Sequence, residues 1–173
     1  MHTIDTSRLD LRDAVDLAIQ IGEDARRRYV ELAARVGGRY AGDADEVFRT
    51  MAELEERHEQ RLADRRRRVF GDVPPRIVGD ALDEVEPAEL GAIRVFMGPR
   101  DAVRVALDAE KRAFEFYDSA SRHAVDPAVR IFFEEQRADQ ADHCRTLEAW
   151  MRAAPGGPDL EEDEADPPGS DAG

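Results

Sequence analysis

The chain has 173 residues, enough for one domain with a buried core, and carries 39 acidic against 25 basic side chains, a formal net charge of −14. That acidity disfavours a nucleic-acid partner, and the single cysteine rules out a disulfide framework and Cys-x-x-Cys chemistry. No run approaches the roughly 20 apolar residues of a membrane span, and the opening MHTIDTSRLDLRDAV has neither a basic start nor an apolar run of signal-peptide length, so a cytoplasmic protein without a membrane partner is expected.

Four long amphipathic segments follow one another: Leu11 to Val36, Asp43 to Phe70, Arg100 to His123, and Pro127 to Ala153. Their ends carry the expected signals. Gly37-Gly38 stops the first, Asp43 can cap the second, and Gly71 with Pro74-Pro75 ends it. The third begins at Asp101 after Gly98-Pro99, and Asp126-Pro127 reads as a cap followed by proline at the first helical position of the fourth. The basic run Arg65 to Arg68 reads as the solvated end of the second helix. The link between the second and third segments is long, with a short helix expected from about Pro87 to Met97. Short, long and short connections around four helices predict an all-α, ferritin-like four-helix bundle with one long crossover, spanning residues 1–154. Residues 155–173 hold seven acids and no base, half of the net charge, and read as a disordered, solubilising tail.

The sequence also repeats. Residues 13–33, DAVDLAIQIGEDARRRYVELA, align without gaps on residues 101–121, DAVRVALDAEKRAFEFYDSAS, pairing Tyr29 with Tyr117 and Gly22 with Glu110. AELEERHEQRL likewise aligns on RADQADHCRTL, pairing His58 with His143 and Glu55 with Gln140. The chain thus reads as two copies of one helical hairpin.

Polar groups interrupt the apolar stripes of three helices. The second carries Phe48, Met51, Glu55, His58, Leu62 and Val69; the third Val103, Leu107, Glu110, Phe114 and Tyr117; the fourth Val129, Phe133, Gln136, Gln140, His143, Leu147 and Trp150. A buried carboxylate without a partner takes up a proton or acquires a cation. Glu55, His58, Glu110 and His143 at similar depths point to a shared ion, because Glu and His at i and i+3 project from one face and can meet it together. Carboxylate oxygens with imidazole nitrogens suit iron or manganese, and zinc as well. The competing reading is a hydrogen-bonded core in which Glu55 meets His143 and Glu110 meets His58. Tyr29 and Tyr117 read as core aromatics, with hydrogen bonds to the inward carboxylates and imidazoles as the alternative, His123 as a partner for a helix C-terminus, and Cys144 as a packing thiol with no orienting group to make it a nucleophile.

The seam residues, the Glu55-x-x-His58 pair and the run from Glu110 through Glu115-Phe116-Tyr117 resemble the ferritin-like di-iron domain of rubrerythrins over about residues 11–153. In that family one Glu from each of the first and third helices joins a Glu-x-x-His from each of the second and fourth, six ligands for two irons. The resemblance implies iron chemistry with peroxide or oxygen, metal ligands Glu55, His58, Glu110 and His143, and a separate electron donor, since the cysteines of a rubredoxin module are missing. Two ligand positions depart from the pattern: Gly22 stands at the first-helix glutamate, with Glu23 turned about 100° away, and Gln140 stands at the fourth-helix glutamate. Gln140 still offers a carbonyl oxygen, so one ion or two remain open. Two function classes follow. One is a metal-dependent redox or iron-handling protein; the other is a degenerate bundle acting as a binding or structural module, with a second copy of itself as one partner.

Overall fold

The computed structural model describes residues 4–36, 44–78 and 97–153. After a 3-10 turn at Thr6–Arg8 come four helices: α1 (Leu11–Val36), α2 (Ala44–Phe70), α3 (Pro99–His123) and α4 (Pro127–Ala153). No strand occurs among the described residues. The short helix expected before Met97, the Asp43 cap, the Gly37-Gly38 stop and the acidic tail lie outside them.

The helix ends follow from local chemistry. Asp10 caps α1 by accepting the Asp13 amide at 2.9 Å, and Asp126 caps α4 by accepting the Ala128 amide at 2.8 Å. Pro99 sits in the first turn of α3, which therefore starts two residues before Asp101, where proline's missing N–H costs nothing. Past the end of α2 the chain enters the left-handed region at Gly71, φ +73°, whose amide reaches back to the Arg67 carbonyl at 2.9 Å.

α1 packs mainly on α2 and α3 mainly on α4, so each sequence repeat is one hairpin. The two hairpins join into a bundle whose core has two apolar parts. At one end Val15, Leu17, Ile21, Leu62, Tyr117, Phe132 and Phe133 pack together. At the other, Tyr29, Leu32, Phe48, Met51, Val103, Leu107 and Leu147 do so. These groupings put the start of α2 beside the start of α3 and the end of α2 beside the end of α3. The two helices are parallel, the arrangement of a ferritin-like bundle. Between the apolar clusters lies a layer of buried polar residues: Glu55, His58, Glu110, Gln136 and Gln140.

Two sequence expectations are corrected here. Val69, placed on the apolar stripe of α2, is 55% exposed, because the stripe drifts off the core in the last turn. The basic run is only partly solvated. Arg66 reaches across to the fully buried Asp16 carboxylate of α1, which also accepts the Arg76 amide at 2.8 Å. Arg66 donates in addition to the Val73 carbonyl at 2.8 Å, and Arg12 donates to that of Pro74. Arg65 pairs with Glu135 and lies over the Phe132 ring. Asp16 is therefore the buried one of several anchors that tie residues 71–78 to the start of α1, with Arg12 on Pro74 and Arg76 on Asp10 and Asp13. Asp16→Ala strands a largely buried guanidinium and an amide donor, so it should lower the unfolding free energy by about 3 kcal/mol; urea melts of the two proteins measure the difference.

Candidate metal centre

Three helices meet at the polar layer. Glu55 and His58, one turn apart on α2, face inward with Glu110 of α3 and with Gln140 and His143 of α4. The carboxylates of Glu55 and Glu110, both 3% exposed as residues, share one imidazole nitrogen: His143 Nδ1 lies 3.3 Å from Glu55 Oε1 and 3.1 Å from Glu110 Oε2. One ligand atom from each of the three falls within 4.8 Å of the others, the span of a single coordination sphere. The other Glu110 oxygen accepts a 2.6 Å hydrogen bond from the Tyr29 hydroxyl. Burial and that carboxylate keep the hydroxyl protonated well above the usual tyrosine range, so Tyr29 is a permanent donor. Tyr29 is thus a partner of the site as well as a core aromatic stacked on Phe48.

Electrostatics explain why the site is short of positive charge. Burial alone would lower the pKa of His143, but its hydrogen bonds to Glu110 and Glu55 outweigh this and push it up to about 10. A single imidazolium can neutralise only one of two carboxylates. Burial and the repulsion of Glu55 accordingly raise the pKa of Glu110, despite the opposing pull of His143 and Tyr29. Two buried carboxylates thus face one imidazolium, and Glu110 is drawn towards protonation; a dication in place of the imidazolium proton would balance both carboxylates.

His58 stands apart from this trio. Its ring centroid is 6.1 Å from that of His143, and its Nε2 meets Gln136 Oε1 at 2.9 Å, with Asp139 Oδ2 at 3.8 Å. The expected convergence therefore holds for Glu55, Glu110 and His143, while His58 is held by α4 from its far side. The alternative pairing of Glu110 with His58 does not occur: both carboxylates turn to His143. Gln136 and Asp139, which orient His58, were not singled out as site residues from the sequence. Their signal was the position of Gln136 on the α4 seam, one turn before Gln140.

A cavity of about 10 Å³, room for one water, lies beside the trio, walled by Gly22, Glu55, His58, Glu110, Tyr117 and Gln140 among others. Two buried acceptors on this wall, His58 Nδ1 and Gln140 Oε1, have no hydrogen-bond partner among the described residues. Buried polar atoms are rarely left so, and this pair marks a place for an occupant. Gly22 lies where the repeat put it, with a Cβ added there 4.0 Å from Glu55 Oε2 and 4.0 Å from Glu59 Cβ, both ordinary contacts. Cys144 is half-buried, and burial with the nearby Glu110 pushes its thiol up to about 11, which removes it as a nucleophile. His123 bonds the Ser119 carbonyl at 2.7 Å through Nδ1, at the end of α3.

A four-helix bundle with carboxylates and imidazoles converging at its middle is a ferritin-like protein of the carboxylate-histidine type. The sequence pattern of the Rubrerythrin family matches residues 13–151, and the chain belongs to that family. A solved structure from Magnetospirillum magnetotacticum MS-1, described as an uncharacterized conserved protein, is similar at 28% identity and TM-score 0.67, over 86% of this chain and 98% of that one. A hypothetical protein of Pyrococcus furiosus shares the fold at 21% identity and TM-score 0.51, over 83% and 89% of the two chains. So does a Thermotoga maritima protein described as a ferritin-like diiron-carboxylate protein, at 20% identity and TM-score 0.51, over 83% and 95%. No curated protein matches. No helix among the described residues is long and apolar enough to cross a membrane.

Two outcomes follow for the metal-free protein. The folded pKa of His143, about 10, exceeds its ordinary 6.5, so its contribution to stability is fully present below pH 6.5 and is lost as pH rises towards 10. Melting temperatures in chelator should fall across that window, and fall less in His143→Gln. Gly22→Ala adds a methyl group in ordinary contact and removes a glycine from a helix interior, so it should stabilise the apoprotein by about 0.5–1 kcal/mol in denaturant melts.

Proposed function

We propose that this protein binds a redox-active divalent metal, iron first, on Glu55, Glu110 and His143, and acts as a rubrerythrin-type oxidoreductase on peroxide or oxygen. The observation that carries the reading is the shared approach of two buried carboxylates to His143 Nδ1, with one ligand atom from each residue within 4.8 Å of the others. Oxygen and nitrogen donors of this kind suit ferrous and manganous ions, and zinc as a redox-inert competitor. When bound, iron supplies the electron transfer by cycling between ferrous and ferric states. The chain's own residues do the rest. Tyr29 fixes the Glu110 carboxylate by its hydrogen bond, and Gln136 fixes the ring of His58. The apolar clusters on either side shield the centre from bulk water. Electrons come from a donor outside this bundle, since a single cysteine cannot hold a rubredoxin iron.

The opposing reading, a bundle that serves only as a structural or self-associating module, draws on the same contacts. Glu55, Glu110, His143 and Tyr29 bond one another without a metal. The crowding of two buried carboxylates on one imidazole, with ligand atoms within 4.8 Å of one another, favours the metal reading. Protein purified without chelator should contain iron or manganese by elemental analysis. Added ferrous or manganous ion should raise the melting temperature of the stripped protein, and both effects should vanish in Glu110→Gln and His143→Ala. Stripped protein that takes up none of the three metals would leave the structural module.

A further inference from the structure

The family's ligand set serves two ions, and the residues of this chain do not fit two. We propose that it holds one divalent ion on Glu55, Glu110 and His143, and that the other half of the ancestral site has become a receptor for a single water. That water sits between Gln140 Oε1 and His58 Nδ1, in the room left by Gly22. The inference rests on the metal binding proposed above and adds the number of ions and the water beside it.

Charge comes first. Among the residues that line this layer, the carboxylates are Glu55 and Glu110, which balance one dication. A second dication would leave two positive charges uncompensated in a buried site. The two positions that could supply the missing acids hold a glycine with no side chain and a neutral amide. Space agrees with charge, since the cavity beside the trio has room for one water.

The chemistry of the unpaired atoms identifies the occupant. His58 Nε2 faces the carbonyl oxygen of Gln136 and the carboxylate of Asp139, both acceptors, so the ring proton is on Nε2 and Nδ1 carries a lone pair. Gln140 Oε1 is the second unpaired acceptor, and both residues are only 4% exposed. Two buried acceptors on residues that line a one-water cavity match a ligand that donates two protons, which water does. Gln136 and Asp139 therefore select the tautomer of His58 that receives it. Gly22 is the condition for this arrangement, because a glutamate there would extend from a Cβ 4.0 Å from Glu55 Oε2 and fill the cavity.

The two halves can be separated by experiment. Stripped protein is loaded anaerobically with ferrous or manganous ion, desalted, and assayed for metal per chain. Wild type should hold one ion; His58→Phe, which keeps a ring of similar size but removes the nitrogens, should still hold one; His143→Phe should hold none. Gly22→Glu combined with Gln140→Glu should hold two. Two ions in wild type, or loss of the ion in a folded His58→Phe protein, overturns the assignment. A folded double variant that stays at one ion overturns it too. If the double variant does not fold, the counts for wild type and the two histidine variants decide alone. A wild type that binds no metal overturns the metal-binding reading itself, whereas a count of two spares that reading and overturns only this one.

Discussion

Glu55 and Glu110 bring their carboxylates to one nitrogen of His143, at 3.3 and 3.1 Å, in the middle of a helical bundle from which water is largely excluded. Two carboxylates so placed cannot both be neutralised by one imidazolium, and the cost of leaving a charge unpaired at that depth is several kcal/mol. Much of the surrounding structure answers that constraint. Tyr29 donates its hydroxyl to Glu110, because burial and the same carboxylate hold that hydroxyl protonated. Burial raises the proton affinity of Glu110, while its own partner His143 is pushed up to about 10.

The layer is tenable because both sides of it are dry and well packed. Phe132, Phe133, Leu17 and Leu62 close one end, and Phe48, Met51, Leu107 and Leu147 the other. This packing supplies most of the favourable free energy of folding, and the polar layer is a local cost within it. A second buried charge site, Asp16 with Arg66 and the Arg76 amide, is of a different kind. Opposite charges there are paired directly, and the result is a mechanical tie that holds residues 71–78 against α1. One site pairs a single carboxylate with a guanidinium; the other sets two carboxylates against one imidazole. That contrast separates a structural ion pair from a candidate functional centre.

The twofold repeat gives the asymmetry of the centre its meaning. Matched positions in the two hairpins hold Gly22 against Glu110 and Glu55 against Gln140, so each hairpin keeps one carboxylate of its pair. Both histidines are kept, but they are used differently. His143 points Nδ1 at the carboxylates, while His58 is held from its far side by Gln136 and Asp139. The two hairpins are thus alike in sequence pattern but unlike in what their polar residues touch.

Much of this was legible in the sequence because helical periodicity, caps and repeats are local signals. The four helices, the Asp126-Pro127 start and Gly71 stop, the membership of the bundle class and the inward placement of Glu55, Glu110 and His143 all follow from spacing along the chain. So does Gly22 as the vacated position, because a gapless repeat carries register from one hairpin to the other. What spacing could not give was which partner each polar head would choose. Whether His58 meets Glu110 or Gln136 depends on the relative rotation of α2 and α4 and on a ring turn that sequence leaves free. That Arg66 crosses to a buried Asp16, rather than ending a solvated run with Arg65, Arg67 and Arg68, depends on which side of α1 the last turn of α2 rests against. Residue types set the inventory of donors and acceptors, and packing of the helices decided how they pair, because hydrogen bonds and ion pairs act over a few ångströms between elements far apart in the chain.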